Sequence, residues 1–278
     1  MNIQINFFIK KYPTIFLGSL ILILMVLIAL LASELTNDPM KLNPIKRLKP
    51  PGNEIWFGTD MFGRDIFART LHGAQISLLA GISVAIISTI IGTSIGLFAG
   101  YFSLFDKIIM RLMDGIMAIP SILLAIALVG LTGASLFNVI IAISIPEIPR
   151  FVRIVRSVVL SVKEQNYIEA VLSVGVKTHN ILFRHILPNS LAPIIVQATY
   201  VCASAMIWEA ILSFLGAGTP PDIPTWGNII AEGRVYFQRA PWIIFFPGLF
   251  LGITVLSVNL LGDGLRDGLD PKISRQMR

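Results

Sequence analysis

Apolar residues in this chain come in long unbroken blocks. They follow neither the alternation of a half-buried strand nor the one-sided stripe of a soluble helix. A run of roughly 20 apolar residues is long enough to cross a bilayer as a helix. Residues 12–33, 73–105 and 242–261 each contain such a run, as does 191–215, which only Glu209 interrupts. Residues 115–146 are also uncharged, but Gly130, Thr132 and Gly133 divide them. That stretch reads as the end of a third span and the start of a fourth, which runs into Arg150, Arg153 and Arg156. Backbone polar groups inside a bilayer must satisfy one another, so the spans must be helices. The pattern predicts an all-α membrane protein with about six transmembrane helices. Lys10 and Lys11 precede the first run, which is too long for a signal peptide and reads as an uncleaved span.

Composition agrees with the pattern. Of 278 residues, 55% are hydrophobic and only 14% charged, against about 25% charged in soluble domains. A disordered chain, a disulfide scaffold and an ordinary soluble enzyme are excluded. The net charge of +6 raises the question of nucleic acid. With the N-terminus inside, 14 of the 22 basic residues fall on the cytoplasmic side. That bias places both termini in the cytoplasm and makes the basic excess a topology signal, not a nucleic-acid surface. The chain divides into an N-terminal span and external loop (1–72), a five-span core (73–265) and a cytoplasmic tail (266–278). Cys202 stands alone, so no internal disulfide can form.

The cytoplasmic stretch 160–190 holds the most specific pattern. Residues 168–174 have helical character, Gly175 permits a turn, and Thr178 is placed to cap a second helix reaching Leu187. Pro188 is placed to break that helix before the fifth span. Glu169-Ala170, Gly175 six residues after the Glu, and Leu187-Pro188 resemble the "EAA" loop of ABC-importer permeases. Val171 stands where that pattern has a second Ala, and His185 where it has Ile. The run from Arg184 to Asn189 looks like the peptide-permease version. The block around Gly58-Thr59-Asp60 and Gly63-Arg64-Asp65 is similar to the segment before the second span in the C-type permease of dipeptide, oligopeptide and nickel importers. So is the ending Gly262-Asp263-Gly264-Leu265-Arg266-Asp267. The resemblance runs from about Trp56 to Lys272.

The resemblance implies a type I importer fold and a permease subunit in a bacterial inner membrane. It implies a second homologous permease, two ABC ATPases below and a substrate-binding protein outside. The coupling loop (Glu169, Ala170, Gly175, Arg184, His185, Leu187 and Pro188) would dock on the ATPase. ATP and Mg would belong to those partners, with no cofactor or metal on this chain. Peptide is the preferred cargo and nickel or a metal chelate the alternative. A channel or secondary transporter is a weaker rival.

The remaining charges leave readings open. Gly58 and Gly63 have P-loop spacing, but Arg64 and Asp65 occupy the Lys and Ser/Thr positions, so no phosphate cradle is expected. Asp60, Arg64 and Asp65 read as a network fixing the external loop. Glu209, an acid within a span, would face a cavity, a partner or a pathway. Arg150, Arg153 and Arg156 would anchor a helix end at headgroups or touch the ATPase. Gly92, Gly96 and Gly100 suggest close helix packing. His72, His179 and His185 show no metal-ligand spacing, and no nucleophile–base pattern can be assembled.

Overall fold

A computed structural model describes residues 12–269. Lys10, Lys11 and the tail residues Lys272, Arg275 and Arg278 lie outside them. The described residues form helices α1 (Pro13–Leu30), α2 (Ile66–Tyr101), α3 (Ser103–Met117), α4 (Ser121–Thr132), α5 (Leu136–Lys163) and α6 (Asn166–Ser173). They continue with α7 (Thr178–Phe214), α8 (Trp226–Gly233) and α9 (Trp242–Leu269).

The span count differs from the sequence expectation. Four helices (α1, α2, α7 and α9) are long and apolar enough to cross a membrane. The pair α3 and α4 adds a fifth only if counted as one span, and it is bent by 88°. The predicted third span therefore breaks at Pro120. At about 1.5 Å per residue, the 12 residues of α4 cover well under a bilayer core by themselves. The predicted fourth span is α5, 28 residues long. Glu147, Arg150, Arg153, Arg156 and Lys163 keep it from qualifying on composition.

The three arginines are matched by acids within the chain. Arg150 reaches Glu147 at 3.0 Å, Arg153 reaches Asp114 at 2.6 Å and Arg156 reaches Asp106 at 2.5 Å. Two of the three arginines thus hold α3 against α5. Nothing in the sequence marks this pairing: acids eight positions apart on α3 meet arginines three apart on α5, and neither separation predicts the other.

The core is built around α2 and α5. Gly92, Gly96 and Gly100 form a groove on α2, and Phe151, Val155 and Val159 of α5 lie in it. A Cβ at Gly96 would stand 2.8 Å from the Val155 Cβ, inside van der Waals contact. Packing between two helices leaves little room to relax. Gly96→Val should therefore lower detergent-solubilised thermal stability by about 1–3 kcal/mol or more, whereas Ile90→Val, at an exposed position, should not. Equal melting of Gly96→Val and the unaltered protein would show that the helices are not held this closely.

The 36-residue α2 spans about 54 Å and fixes the two ends of the molecule. Its start lies beside Glu232 and its end beside Lys163, whose Nζ donates to the Tyr101 carbonyl at 3.1 Å. The loop before α2 and the α5–α7 connection therefore occupy opposite ends of the bundle.

Candidate functional site

At one end, the α5–α7 connection is anchored from within and open on its outer side. Ile168, Ile181, Leu182 and Ile186 are buried in the main core, and Val171, Val176 and Leu187 pack against it. Glu169, Ala170, Gly175, Arg184 and Pro188 are exposed, and His185 is half-buried. Tyr167, Leu172, Val174 and Phe183 are exposed apolar neighbours. An apolar ridge with charged flanks is the composition of a protein-docking surface. Val171, the departure from the family pattern, faces inward, so its added bulk fills core and does not alter the exposed ridge.

Gly175 ends α6 with φ +79°. Its N–H donates to the Leu172 carbonyl at 2.9 Å, and the Val176 N–H donates to the Val171 carbonyl at 3.4 Å. This is the Schellman pattern, completed by packing of Val176 and Val171 on one core. No atom lies within 4 Å of where a Gly175 Cβ would stand. The glycine is required by backbone conformation, not by space.

Two local expectations are corrected here. Thr178 does not cap: Lys177 takes that position and no side chain caps the helix. Nor does Pro188 end the helix, because α7 runs from Thr178 to Phe214 through it. Residues Ile181–Ile186 widen into a π-helical turn immediately before Pro188. A proline in an α-helix clashes with the carbonyl four residues back, and a π-turn moves that carbonyl without stopping the helix. Asn189 fastens the junction, donating to the His185 carbonyl at 2.6 Å and to the Tyr167 hydroxyl at 3.4 Å.

At the opposite end lies a buried ionic network. The Asp60 carboxylate accepts from the backbone N–H of Phe62 and Arg64 at 2.8 and 2.9 Å, and from Arg64 Nε at 2.5 Å. Arg69 Nη1 donates to Asp60 at 2.9 Å and to Glu232 at 2.7 Å, and Arg69 Nη2 donates to Glu232 at 3.0 Å. Arg64 also donates to Glu232. Two arginines and two carboxylates close a neutral set, with the Arg69 side chain fully buried.

Asp65 has another task. Its carboxylate accepts from the Phe67 N–H at 2.9 Å and caps α2. Burial pushes its carboxyl above the ordinary range, against the lowering effect of the Phe67 and Ala68 N–H groups. Arg69 and Glu232 were not found from sequence. Arg69 lies within α2 ahead of the predicted start of the second span, and Glu232 is 163 positions away. The network fixes the loop before α2 to α8, which Thr225 caps by accepting from the Asn228 N–H at 3.0 Å.

Glu209 is fully buried on α7. It accepts from the Ser213 hydroxyl at 2.8 Å and the Thr219 hydroxyl at 3.4 Å. The carboxylate thereby ties α7 to the loop leading into α8. Sequence reading also missed Glu147, buried beside Arg150; Glu-x-x-Arg spacing on a helix was its available signal. Among the described residues, no group of three or more His, Cys, Asp or Glu side chains is arranged to hold a metal ion.

Comparison with known proteins gives these two ends a context. Residues 88–275 match the family described as binding-protein-dependent transport system inner membrane component. A probable peptide ABC transporter permease of Sinorhizobium fredii is 52% identical over 96% of this chain and 92% of its own length. A dipeptide transport system permease of Alkalihalophilus pseudofirmus is 46% identical over 95% of this chain and 88% of its own. A glutathione transport system permease of Escherichia coli is 47% identical over 80% of this chain and 74% of its own. Among solved structures, a chain of the MetNI methionine ABC transporter superposes with a TM-score of 0.59 at 17% identity, covering 73% of this chain and 96% of that one. The fold is thus that of an ABC importer permease. A matching family model across most of the chain, with long relatives at about half identity, makes this protein a member of the binding-protein-dependent transport system inner membrane component family, a multi-pass membrane permease subunit.

Proposed function

We propose that this permease moves peptides into a bacterial cell across the inner membrane, with both termini in the cytoplasm. The observation that carries the cargo is the 52% identity, over nearly the whole chain, to a probable peptide permease. The dipeptide and glutathione permeases among its relatives favour the same class over nickel. A second, homologous permease completes the passage, a substrate-binding protein meets the ionic-network end, and two ATPases bind at the α6 end. ATP and Mg are held by those ATPases, and this chain contributes no catalytic group.

The mechanism follows from the two ends. The Glu169–Gly175 ridge stands proud of the bundle, yet its inner face is part of the core. Force applied to α6 therefore passes into α5 and α7 without first unfolding a loop. Closure of the ATPases on ATP binding would push this lever, turn the passage outward, and admit peptide. Hydrolysis would release it.

Uptake in a strain lacking this protein tests the cargo. Labelled dipeptide, a longer peptide and nickel are offered with and without the restored chain. Peptide uptake should return and nickel uptake should not change. Return of nickel alone would overturn the cargo and keep the permease.

A further inference from the structure

We infer that the cleft between α7 and α9, at the α6 end of the bundle, is a binding site for zwitterionic peptide in transit. This rests on the peptide reading above and assigns the residues that take hold of the cargo. Two adjoining cavities form the cleft, of about 500 and 220 Å³. Val196, Gln197 and Arg266 line both, so the two lie side by side. The larger is within the size range of small-ligand sites.

The helices cross closely here. A Cβ at Gly262 would collide with the Thr199 side chain, so the facing residues meet across a narrow gap. On α9, Asn259, Asp263 and Arg266 fall at i, i+4 and i+7 and share one face. Gln197 and Tyr200 do the same on α7. All five line the smaller cavity. Gln197 and Asn259 are half-buried; Tyr200, Asp263 and Arg266 are exposed. None of the five makes a side-chain hydrogen bond or ion pair to another described residue. Asp263 and Arg266 are one turn apart and still do not pair. By contrast, Glu147 pairs with Arg150 one turn away, and Arg156 pairs with Asp106.

Unpaired polar groups on membrane helices face a partner, a cavity or a pathway. The chemistry selects among occupants. A carboxylate suits an ammonium, a guanidinium suits a carboxylate, and two amides and a phenol suit peptide N–H and C=O groups. A free di- or tripeptide carries all of these. An anionic lipid headgroup would find one cation and be repelled by Asp263. The bland alternative, an arginine reaching for headgroups at a helix end, leaves the Gln197–Tyr200–Asn259 face unused.

The test uses the complete importer in membrane vesicles. Cys202, the chain's one cysteine, is changed to Ser, and Val196→Cys, which lines the cleft but is none of the five polar residues, is added as a maleimide target. Dipeptide at ten times its dissociation constant should slow labelling about tenfold. Dipeptide N-acetylated and amidated at its ends should not. Arg266→Gln should abolish the protection and lower dipeptide uptake about tenfold. Asp263→Asn should act alike, so the result does not hang on one variant folding. Unchanged labelling in vesicles whose peptide uptake is intact would overturn the site and spare the peptide reading. Protection that follows anionic-lipid content and ignores dipeptide would overturn it in favour of a lipid site. Absence of peptide uptake by the unaltered importer would sink the peptide reading, and this inference with it.

Discussion

Arg69→Ala should leave little intact protein in the membrane. The substitution strips one of two arginine partners from Asp60 and one of two from Glu232, at a place where the Asp60 side chain is 3% exposed. Removing one member of a buried ionic set costs about 3–5 kcal/mol, a large share of a typical total stability of roughly 5–15 kcal/mol. The loss should appear as lower abundance and a lower melting temperature in detergent. Glu232→Gln is the graded comparison. It loses the charge and one acceptor but keeps one oxygen for the arginines, and the site is more exposed, so its effect should be smaller. Arg69→Lys should not restore full stability, because an ammonium cannot make the forked contacts that Arg69 makes to Asp60 and Glu232. If Arg69→Ala melts with the unaltered protein, the network is not holding the outer loop to α8.

The second large effect is expected at the coupling ridge. Gly175→Val should abolish uptake while leaving membrane insertion and abundance near normal. The open space around Gly175 removes any steric cause, so the effect must come through its positive φ. A β-branched residue in that region costs roughly 1–2 kcal/mol and will twist α6 away from its docked direction. Gly175→Asn should retain much of the activity, since Asn tolerates the left-handed region. Glu169→Arg should also stop uptake, for a different reason: the helix is intact but its exposed face carries the wrong charge. Loss of a central interface contact typically costs about 2–4 kcal/mol, so uptake should fall by at least about tenfold. Copurification of the ATPase separates these cases. It should weaken with Glu169→Arg and recover when a compensating acid is placed on the ATPase. Normal uptake by Gly175→Val and Glu169→Arg at normal protein level would refute the lever.

Local patterns in this chain report local physics. The apolar blocks located α1, α2, α7 and α9, because a bilayer demands about 20 apolar residues per helix and few other requirements yield such runs. The Glu169–Gly175 spacing located α6 and its end, because a Schellman stop needs a left-handed residue at one position. The glycine triplet at 92, 96 and 100 marked a packing groove, though not its occupant. The charged helix α5 was legible as a fourth span running into its arginines, but what balances those arginines was not. Their cost is offset by Asp106 and Asp114 on α3, and pairing across 39 and 50 positions leaves no trace in either segment alone.

What the sequence by itself determined is the membrane class, the helical architecture, the family resemblance and the place of the exposed loop. Each depends on the order of residues over a few turns. Tertiary structure alone decided that Asp60, Arg64, Arg69 and Glu232 form one closed network and that Asp65 caps a helix. It decided too that Pro188 is absorbed by a π-turn, that Glu209 is buried among hydroxyls, and that Gln197, Tyr200, Asn259, Asp263 and Arg266 line one cleft. These depend on which helix faces come together. That is set by packing many small contacts at once, and it brings residues on separate helices within a few ångströms of each other.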